Sequence, residues 1–198
     1  NIGKIFAFEP NINLFNLLKK NFKKNDDKIK LFNSGIGLQE EELDLNIMMD
    51  SSSSTFNTIN LDSNYYKKKN KIITFLSENK DLLKHKQKIS IITLSNIIKK
   101  NMINTIDILK IDTEGSELEV VRSGLKTIKK NLPILIIEYS HKNYKKIRSL
   151  LKKYNYDSFL FNKTSNTLTK INNESLKKIY LSTTSNNIVF YNSNSKHF

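Results

Sequence analysis

The chain has no cysteine, few arginines and no long hydrophobic run among its 198 residues. Without cysteine it can form neither a disulfide nor a thiolate metal site, and this composition is compatible with the cytoplasm, the location we expect. The longest apolar stretch, 132–139, is much shorter than the roughly 20 residues that a membrane-spanning helix needs. These absences exclude a disulfide-stabilised fold and a transmembrane helix within this sequence.

Arginine is scarce although the net charge is +14. Of 33 basic residues only Arg122 and Arg148 are arginines, the residue type preferred for bidentate contacts with phosphates and bases. The lysines accompany an excess of Asn, Ile, Phe and Tyr, which is typical of an AT-rich genome. We therefore expect a solvated lysine surface, and the composition argues against nucleic acid as the partner.

Apolar residues make up 38% of the chain and charged residues 26%, which indicates a soluble globular protein. We expect one domain over 1–198, with an irregular insertion at 50–88 that includes the serine run at 51–54 and a short helix near 75–83. Residue 1 is Asn and a strand pattern begins almost at once. We expect the natural N-terminus, with any targeting signal, to lie upstream.

Strand and helix patterns alternate along the rest of the chain. We predict strands at 4–8, 28–32, 43–47, 89–93, 106–112, 134–138, 158–161 and 188–191, and helices at 13–24, 95–100, 116–130 and 141–154. Gly35–Gly37 is expected to be a turn, Ser95 to cap its helix, and Ser116 with Glu119 to form a capping box. This alternation predicts an α/β fold with a mostly parallel sheet and a hairpin-like antiparallel end.

The segment 106–117 is the most informative, because a charged cluster follows an apolar strand there. Lys110 and Asp112 are two residues apart, so they share a face at the carboxyl end of the strand, where open α/β sheets bind ligands. A lysine in an apolar strand is costly to bury unless it is paired or used. Asp112 is a candidate general base, ligand orienter or metal ligand. The alternatives are a salt bridge with Lys110 or a helix cap.

Acidic residues also end two other predicted strands, at Glu9 and Glu138. A carboxylate such as Glu9 can accept both hydrogen bonds of a ribose diol, although a turn residue before Pro10 is the alternative. Glu114 lies before a helix, where its charge complements the helix dipole. Glu138 is a candidate for support of the site, and His141 just beyond it is expected to be a cap or a surface residue.

Taken together, these segments resemble the FkbM-type family of S-adenosylmethionine-dependent methyltransferases. The matching pieces are 6–10, 33–37, the serine run, Thr93-Leu94, 107–117, Gly124, 136–138 and 187–190. The resemblance implies a Rossmann-like class I methyltransferase sheet, from which the first strand and its glycine-rich loop are missing. The family usually has Asp after Thr-Leu, where this chain has Ser95.

The resemblance also implies S-adenosyl-L-methionine as the cofactor. Glu9, with Pro10 beside it, would bind the ribose, and the region of Gly35 and Ile36 would lie near the adenine. Without the glycine-rich loop, we expect the chain alone to bind this cofactor weakly and to be inactive.

On the acceptor side, the resemblance implies that Lys110, Asp112 and Glu114 line the methyl-transfer pocket. Asp112 would take the proton of the acceptor hydroxyl, Lys110 would tune it, and no metal would be needed. The acceptor would be a small molecule or glycan, methylated on a sugar or natural-product hydroxyl. The alternatives are an RNA or protein methyltransferase of the same fold, a non-catalytic interaction module, and another nucleotide-binding α/β enzyme.

Overall fold

A computed structural model of the chain describes residues 3–22, 28–48, 83–172 and 184–195. The chain divides into two compact units, Asn1–Ile92 and Thr93–Phe198. The serine run at 51–54 and most of the expected insertion and its helix lie outside the described residues, and the single domain over 1–198 stays a prediction. No helix in the described part of the chain has the length and apolar character needed to cross a membrane.

The described part of the first unit contains two small sheets and one helix. Its elements are β1 (Ile5–Phe8), α1 (Ile12–Asn21), β2 (Ile29–Phe32), β3 (Gly35–Gly37), β4 (Glu41–Met48) and β5 (Leu83–Thr93), which ends at the start of the second unit. Strands β1 and β2 pair in parallel, and β3, β5 and β4 form a sheet in that order. The buried core of the β3-β5-β4 sheet includes Leu45, Ile47, Ile89 and Ile91, and Leu43 packs against it.

Within its described residues, the second unit contains a five-stranded sheet and four helices. Its elements are α2 (Leu94–Lys100), β6 (Ile108–Ile111), α3 (Glu117–Ser123), α4 (Leu125–Asn131), β7 (Ile134–Glu138), α5 (Tyr144–Lys152), β8 (Tyr156–Asn162), β9 (Thr167–Lys170) and β10 (Thr184–Asn192). The strand order is β6-β7-β10-β8-β9. Among the strands that the structure describes in this unit, only β6 and β7 pair in parallel, and β10 is antiparallel to both β7 and β8. The predicted antiparallel end is confirmed, but the sheet is mixed rather than mostly parallel.

The two faces of this sheet differ. On one face, the side chains of Leu135, Ile137, Ile188 and Phe190 are each 2% exposed or less, and the Phe190 ring lies 6.5 Å from that of Tyr144 on α5. The opposite face, which we call the open face, includes Lys110, Ile136 and Val189, because residues in register on neighbouring strands share a face. The carboxyl ends of β6 and β7 meet at one edge of the open face, so these strands position the site.

Two predictions in the first unit are wrong in their boundaries. Gly35–Gly37 is the strand β3 rather than a turn, and residues 83–88 belong to β5 rather than to an irregular insertion. The strand period is hidden there because polar His85 and Gln87 occupy the positions that share a face with the buried Ile89 and Ile91. Pairing with β4 therefore extends β5 beyond its apolar stretch.

Helix boundaries in the second unit also differ from the predictions. Thr93, not Ser95, caps α2 by accepting from Asn96 N, whereas the Ser95 hydroxyl donates to the carbonyl of Ser123. The helix predicted over 116–130 is two helices that meet at Gly124. The helix predicted from 141 begins at Tyr144, after a turn. Strand β9 was not predicted, because its four residues are all exposed and carry no buried alternation.

Gly124 allows α2 to approach the junction of α3 and α4. A Cβ atom at this position would lie 2.5 Å from Cδ2 of Leu94, which is 5% exposed. We predict that Gly124→Ala lowers the free energy of unfolding by about 1–3 kcal/mol through overpacking, measured by urea denaturation. Gly3→Ala is the control, because nothing lies within 4 Å of its added Cβ. Equal stability of the two variants would contradict this packing.

Candidate functional site

Three carboxylates meet where β6 and β7 end. Asp112 directly follows β6, Glu114 lies in the next turn, and Glu138 is the last residue of β7. One oxygen from each carboxylate lies within 4.8 Å of the others, and we call these three residues the carboxylate cluster. Carboxylates this close repel one another when all are ionised, so the cluster favours a proton or a positive charge beside it.

Lys110 supplies that positive charge. Its Nζ lies 2.8 Å from Oδ2 of Asp112, so the salt bridge considered from the sequence is present. The two side chains are 42% and 50% exposed, which shows that Lys110 is not the buried lysine suggested by its apolar neighbours. It remains accessible because it lies on the open face of β6, at the end of the strand order. An exposed pair of this kind stabilises a fold by only about 0–1 kcal/mol.

The two carboxyl groups Asp112 and Glu138 share a hydrogen bond and titrate differently. Burial raises the pKa of Glu138 to about 7, with further contributions from the hydrogen bond to Asp112 and from the charges of Asp112, Glu114 and Glu117. Burial also acts upward on Asp112, but hydrogen bonds from Lys110 and Glu138 outweigh it and hold the pKa of Asp112 below its ordinary value. The pair therefore retains one proton up to near neutral pH, mainly on Glu138.

A buried glutamate holds the turn that carries Glu114. Glu117 is 0% exposed, and its Oε1 accepts from Gly115 N at 2.7 Å and from the Thr113 hydroxyl at 3.2 Å. Its Oε2 accepts from Nδ2 of Asn143 at 3.0 Å, and the same nitrogen donates to the Gly115 carbonyl at 2.8 Å. Glu114 and Gly115 both have positive φ, 50° and 111°. Because such a turn is strained for Glu114, the bonds to Glu117 keep it in place.

This arrangement replaces the predicted capping box. Ser116 is the N-cap residue of α3 but makes no side-chain cap hydrogen bond, so its pairing with Glu119 is wrong. The predicted role belongs to Glu117, one helical position after Ser116. Spacing alone could not identify it, because its partner Asn143 is 26 residues away at the start of α5. The sequence signal that was available is the presence of a second acid, Glu117, two residues before Glu119 in the first turn of the helix.

In the first unit, Glu9 lies in a turn that other side chains hold closed. Its Oε1 accepts from Asn11 N at 2.8 Å. Nδ2 of Asn33 donates to the carbonyls of Glu9 and Pro10 at 2.9 and 3.1 Å, and Nε2 of Gln87 donates to the Pro10 carbonyl at 3.1 Å. Burial raises the pKa of Glu9, and the bond from Asn11 partly offsets this. Gln87 was missed because it lies in the supposed insertion.

The segments beside this turn contain buried polar atoms that have no partner among the described residues. Asn11 is 1% exposed and Ser34 is 6% exposed, yet Nδ2 of Asn11 and Oγ of Ser34 make no hydrogen bond within that part of the chain. Ser34 directly precedes β3, which contains Gly35 and Ile36. Buried polar groups are normally paired, so these atoms retain hydrogen-bonding capacity that a polar ligand would use. A carboxylate with nearby amide and hydroxyl groups has the chemistry that a nucleoside requires, so these residues fit the expected cofactor.

His141 is exposed, as predicted for a surface residue. Its Nδ1 lies 3.3 Å from the hydroxyl of Tyr139, and either atom can be the donor, depending on the tautomer. The other predicted site residues lie in two places: Lys110, Asp112, Glu114 and Glu138 at the ends of β6 and β7, and Glu9, Pro10, Gly35 and Ile36 in the first unit.

The comparisons with known proteins agree on one family. The domain family described as "Methyltransferase FkbM domain" matches residues 1–158. The crystal structure of methyltransferase FkbM from Methylobacillus flagellatus KT is similar in fold, with a TM-score of 0.51 and 16% sequence identity, over 95% of this chain and 36% of that chain. The present chain thus spans just over a third of that protein. No curated protein matches the chain significantly.

Glu117→Ala should destabilise the second unit. The change leaves Gly115 N and the Asn143 amide without their acceptor in a buried position, so we predict a loss of about 3–5 kcal/mol in the free energy of unfolding. Glu119→Ala on the same helix is the control, since that side chain is only partly buried. Chemical denaturation of both variants measures the difference. Similar unfolding midpoints would show that the buried carboxylate does not hold this turn.

Proposed function

The chain belongs to the FkbM methyltransferase family, and we propose that it takes part in transfer of a methyl group from S-adenosyl-L-methionine to a hydroxyl of a sugar or natural product. The observation that carries the proposal is the hydrogen-bonded pair of Asp112 and Glu138, whose pKa values lie on opposite sides of the ordinary range. Environments that separate the pKa values of two neighbouring acids are typical of acid–base sites.

The cofactor is assigned to the first unit. Glu9 would accept hydrogen bonds from the ribose hydroxyls, next to Pro10 and the Asn11 amide. Gly35 and Ile36 would lie near the adenine ring of the cofactor. When bound, the family cofactor would supply an electrophilic methyl group. The acceptor oxygen would form a bond to this methyl carbon while the bond between the carbon and the cofactor's sulfur breaks. Orientation of the reacting hydroxyl accounts for much of the rate of such reactions.

Glu138 is the group that we assign to the proton of the acceptor hydroxyl. Its pKa of about 7 suits a general base at neutral pH, because proton transfer is most efficient when the pKa of the base is near the working pH. Asp112 was the base expected from the sequence, but its pairing with Lys110 makes it the weaker base. We assign to Asp112 the role of orienting Glu138 and keeping it basic, with Lys110 and Glu114 lining the same pocket.

The pH dependence of the methyl-transfer rate tests this assignment in the intact protein. Below pH about 7 Glu138 is protonated and cannot accept a proton, so kcat/KM should fall about tenfold for each pH unit. Glu138→Gln should remove this inflection and lower kcat/KM by about 10²–10⁴-fold. Glu119→Gln is the matched control and should leave the profile unchanged. A Glu138→Gln variant with normal turnover and an unchanged inflection would overturn the assignment.

The Asp112→Asn variant distinguishes whether Glu138 or Asp112 is the general base. Removing the negative charge beside Glu138 lowers the pKa of Glu138, so the inflection of the pH–rate profile should move toward acid. If Asp112 is itself the base, the same variant should lose the inflection and most of its activity instead. Measuring the full profile therefore distinguishes the two residues. An unshifted inflection in Asp112→Asn would show that the pair is not coupled during turnover.

A further inference from the structure

We propose that the second unit binds the anionic surface of a phospholipid membrane through lysines at one end of its sheet. These lysines form three pairs of adjacent residues where α2, α4 and α5 end. We call them the amino-end surface, and they are Lys99, Lys100, Lys129, Lys130, Lys152 and Lys153. The inference concerns where the protein docks, so it stands independently of the proposed methyl transfer.

The connectivity of the fold brings the three lysine pairs to one end of the sheet. The helices α2, α4 and α5 lead into β6, β7 and β8 through seven, two and three residues, respectively. Strands β6 and β7 are parallel, and β8 runs in the same direction because β7 and β8 are both antiparallel to β10. All three strands therefore begin at the same end of the sheet, which is opposite the end that carries the carboxylate cluster.

Contacts between the three connections hold this end of the sheet together. Nζ of Lys129 lies 4.3 Å from the ring centroid of Tyr154, which joins the ends of α4 and α5. The backbone N–H of Ile134 donates to the Asp107 carbonyl at 2.9 Å, which joins the start of β7 to the connection between α2 and β6. The lysine pairs are thus carried by neighbouring connections of one packed unit.

The amino-end surface is positive and accessible. All six of its lysines are exposed. Among the described residues of the three connections and the strand starts, the acids are Asp107 and Asp157, and Asp157 is bridged to Lys170 at 2.7 Å. The lysines therefore outnumber the acids at this end. A group of about four to eight basic residues has the size that binds anionic phospholipid headgroups.

The helix dipole does not account for this arrangement. Basic residues are favourable in the last turn of any helix, and α1 in the first unit also ends with a pair, Lys19 and Lys20. The dipole explains each pair separately, but it does not require three pairs at one end of one unit. The α1 pair therefore provides a matched control for the amino-end surface.

An exposed methionine favours a membrane over a polyanion in water. Met102 lies in the turn directly after α2, where its backbone N–H donates to the Lys99 carbonyl at 3.2 Å, and it is 83% exposed. An apolar side chain beside basic residues can enter the headgroup region while the lysines contact phosphates. All six basic residues are lysines, which suit a diffuse anionic surface, whereas sites for nucleic acids prefer arginine.

Sedimentation of the full chain with lipid vesicles tests the proposal. The protein should bind vesicles of phosphatidylcholine mixed with phosphatidylserine but not vesicles of phosphatidylcholine alone, and high salt should weaken the binding. The double variant Lys99→Gln, Lys100→Gln should lower the partition coefficient about tenfold or more. The control is Lys19→Gln, Lys20→Gln, which removes the same charge from the last turn of α1 and should bind normally.

A fluorescent reporter tests which part of the protein meets the lipid. The chain contains no tryptophan, so the emission of Met102→Trp comes from the turn after α2 alone. This emission should shift to the blue when the mixed vesicles are added, and brominated lipids should quench it. Leu168→Trp is the control, because Leu168 is 53% exposed and pairs with Phe161 near the far end of β8. Its emission should not change.

Four results would overturn the proposal. The first is that the full chain does not bind the mixed vesicles. The second is an equal loss of binding in the two double variants, because net charge alone would then explain it. The third is vesicle binding with unchanged emission of Met102→Trp, which would assign the contact to another surface. The fourth is tighter binding of random-sequence RNA than of vesicles, weakened by Lys99→Gln, Lys100→Gln, which would identify a nucleic acid as the partner.

Discussion

The buried carboxylate of Glu117 is the constraint on which the second unit's site depends. A charge that is 0% exposed is tolerated only when donors surround it, and here two come from the turn after β6 and one from the start of α5. Glu117 is the first residue of α3, and its side chain stabilises the turn in which Glu114 and Gly115 have positive φ. Its hydrogen bond with Asn143 connects this turn to the start of α5. The carboxylate cluster keeps its geometry because this turn cannot relax without unpairing Glu117.

The cluster, in contrast, is held by groups that can change their charge. Asp112 and Glu138 share a proton, and Lys110 compensates the charge of Asp112 from the exposed side. Such a pair contributes little to stability, but it can accept a proton near neutral pH. The rigid and the titratable parts of the site are thus different residues. Mutations in the first should affect folding, and mutations in the second should affect the pH profile.

The sequence predicted the elements whose signals are local. Strand β7 was predicted with its observed bounds, because Pro133 and Glu138 delimit a short apolar run. The positions of Lys110 and Asp112 on one face also followed from the strand period. Contacts between distant residues were not predictable in this way. The pairing of Glu117 with Asn143, and that of Gln87 with the Pro10 carbonyl, depend on how separate elements meet.

The register of β7 with β10 determines which face of the sheet carries Glu138. Asn187 pairs with Glu138 and Val189 with Ile136, so both pairs lie on the open face. A shift by one residue would move Glu138 to the face that packs against α5 and turn Ile137 to the open face. Neither strand can slip, because Ile137 and Ile188 are 2% and 1% exposed on the covered face. The packing of one face therefore determines the chemistry available on the other, and it explains how Glu138, whose pKa is raised, shares a face with Ile136 and Val189.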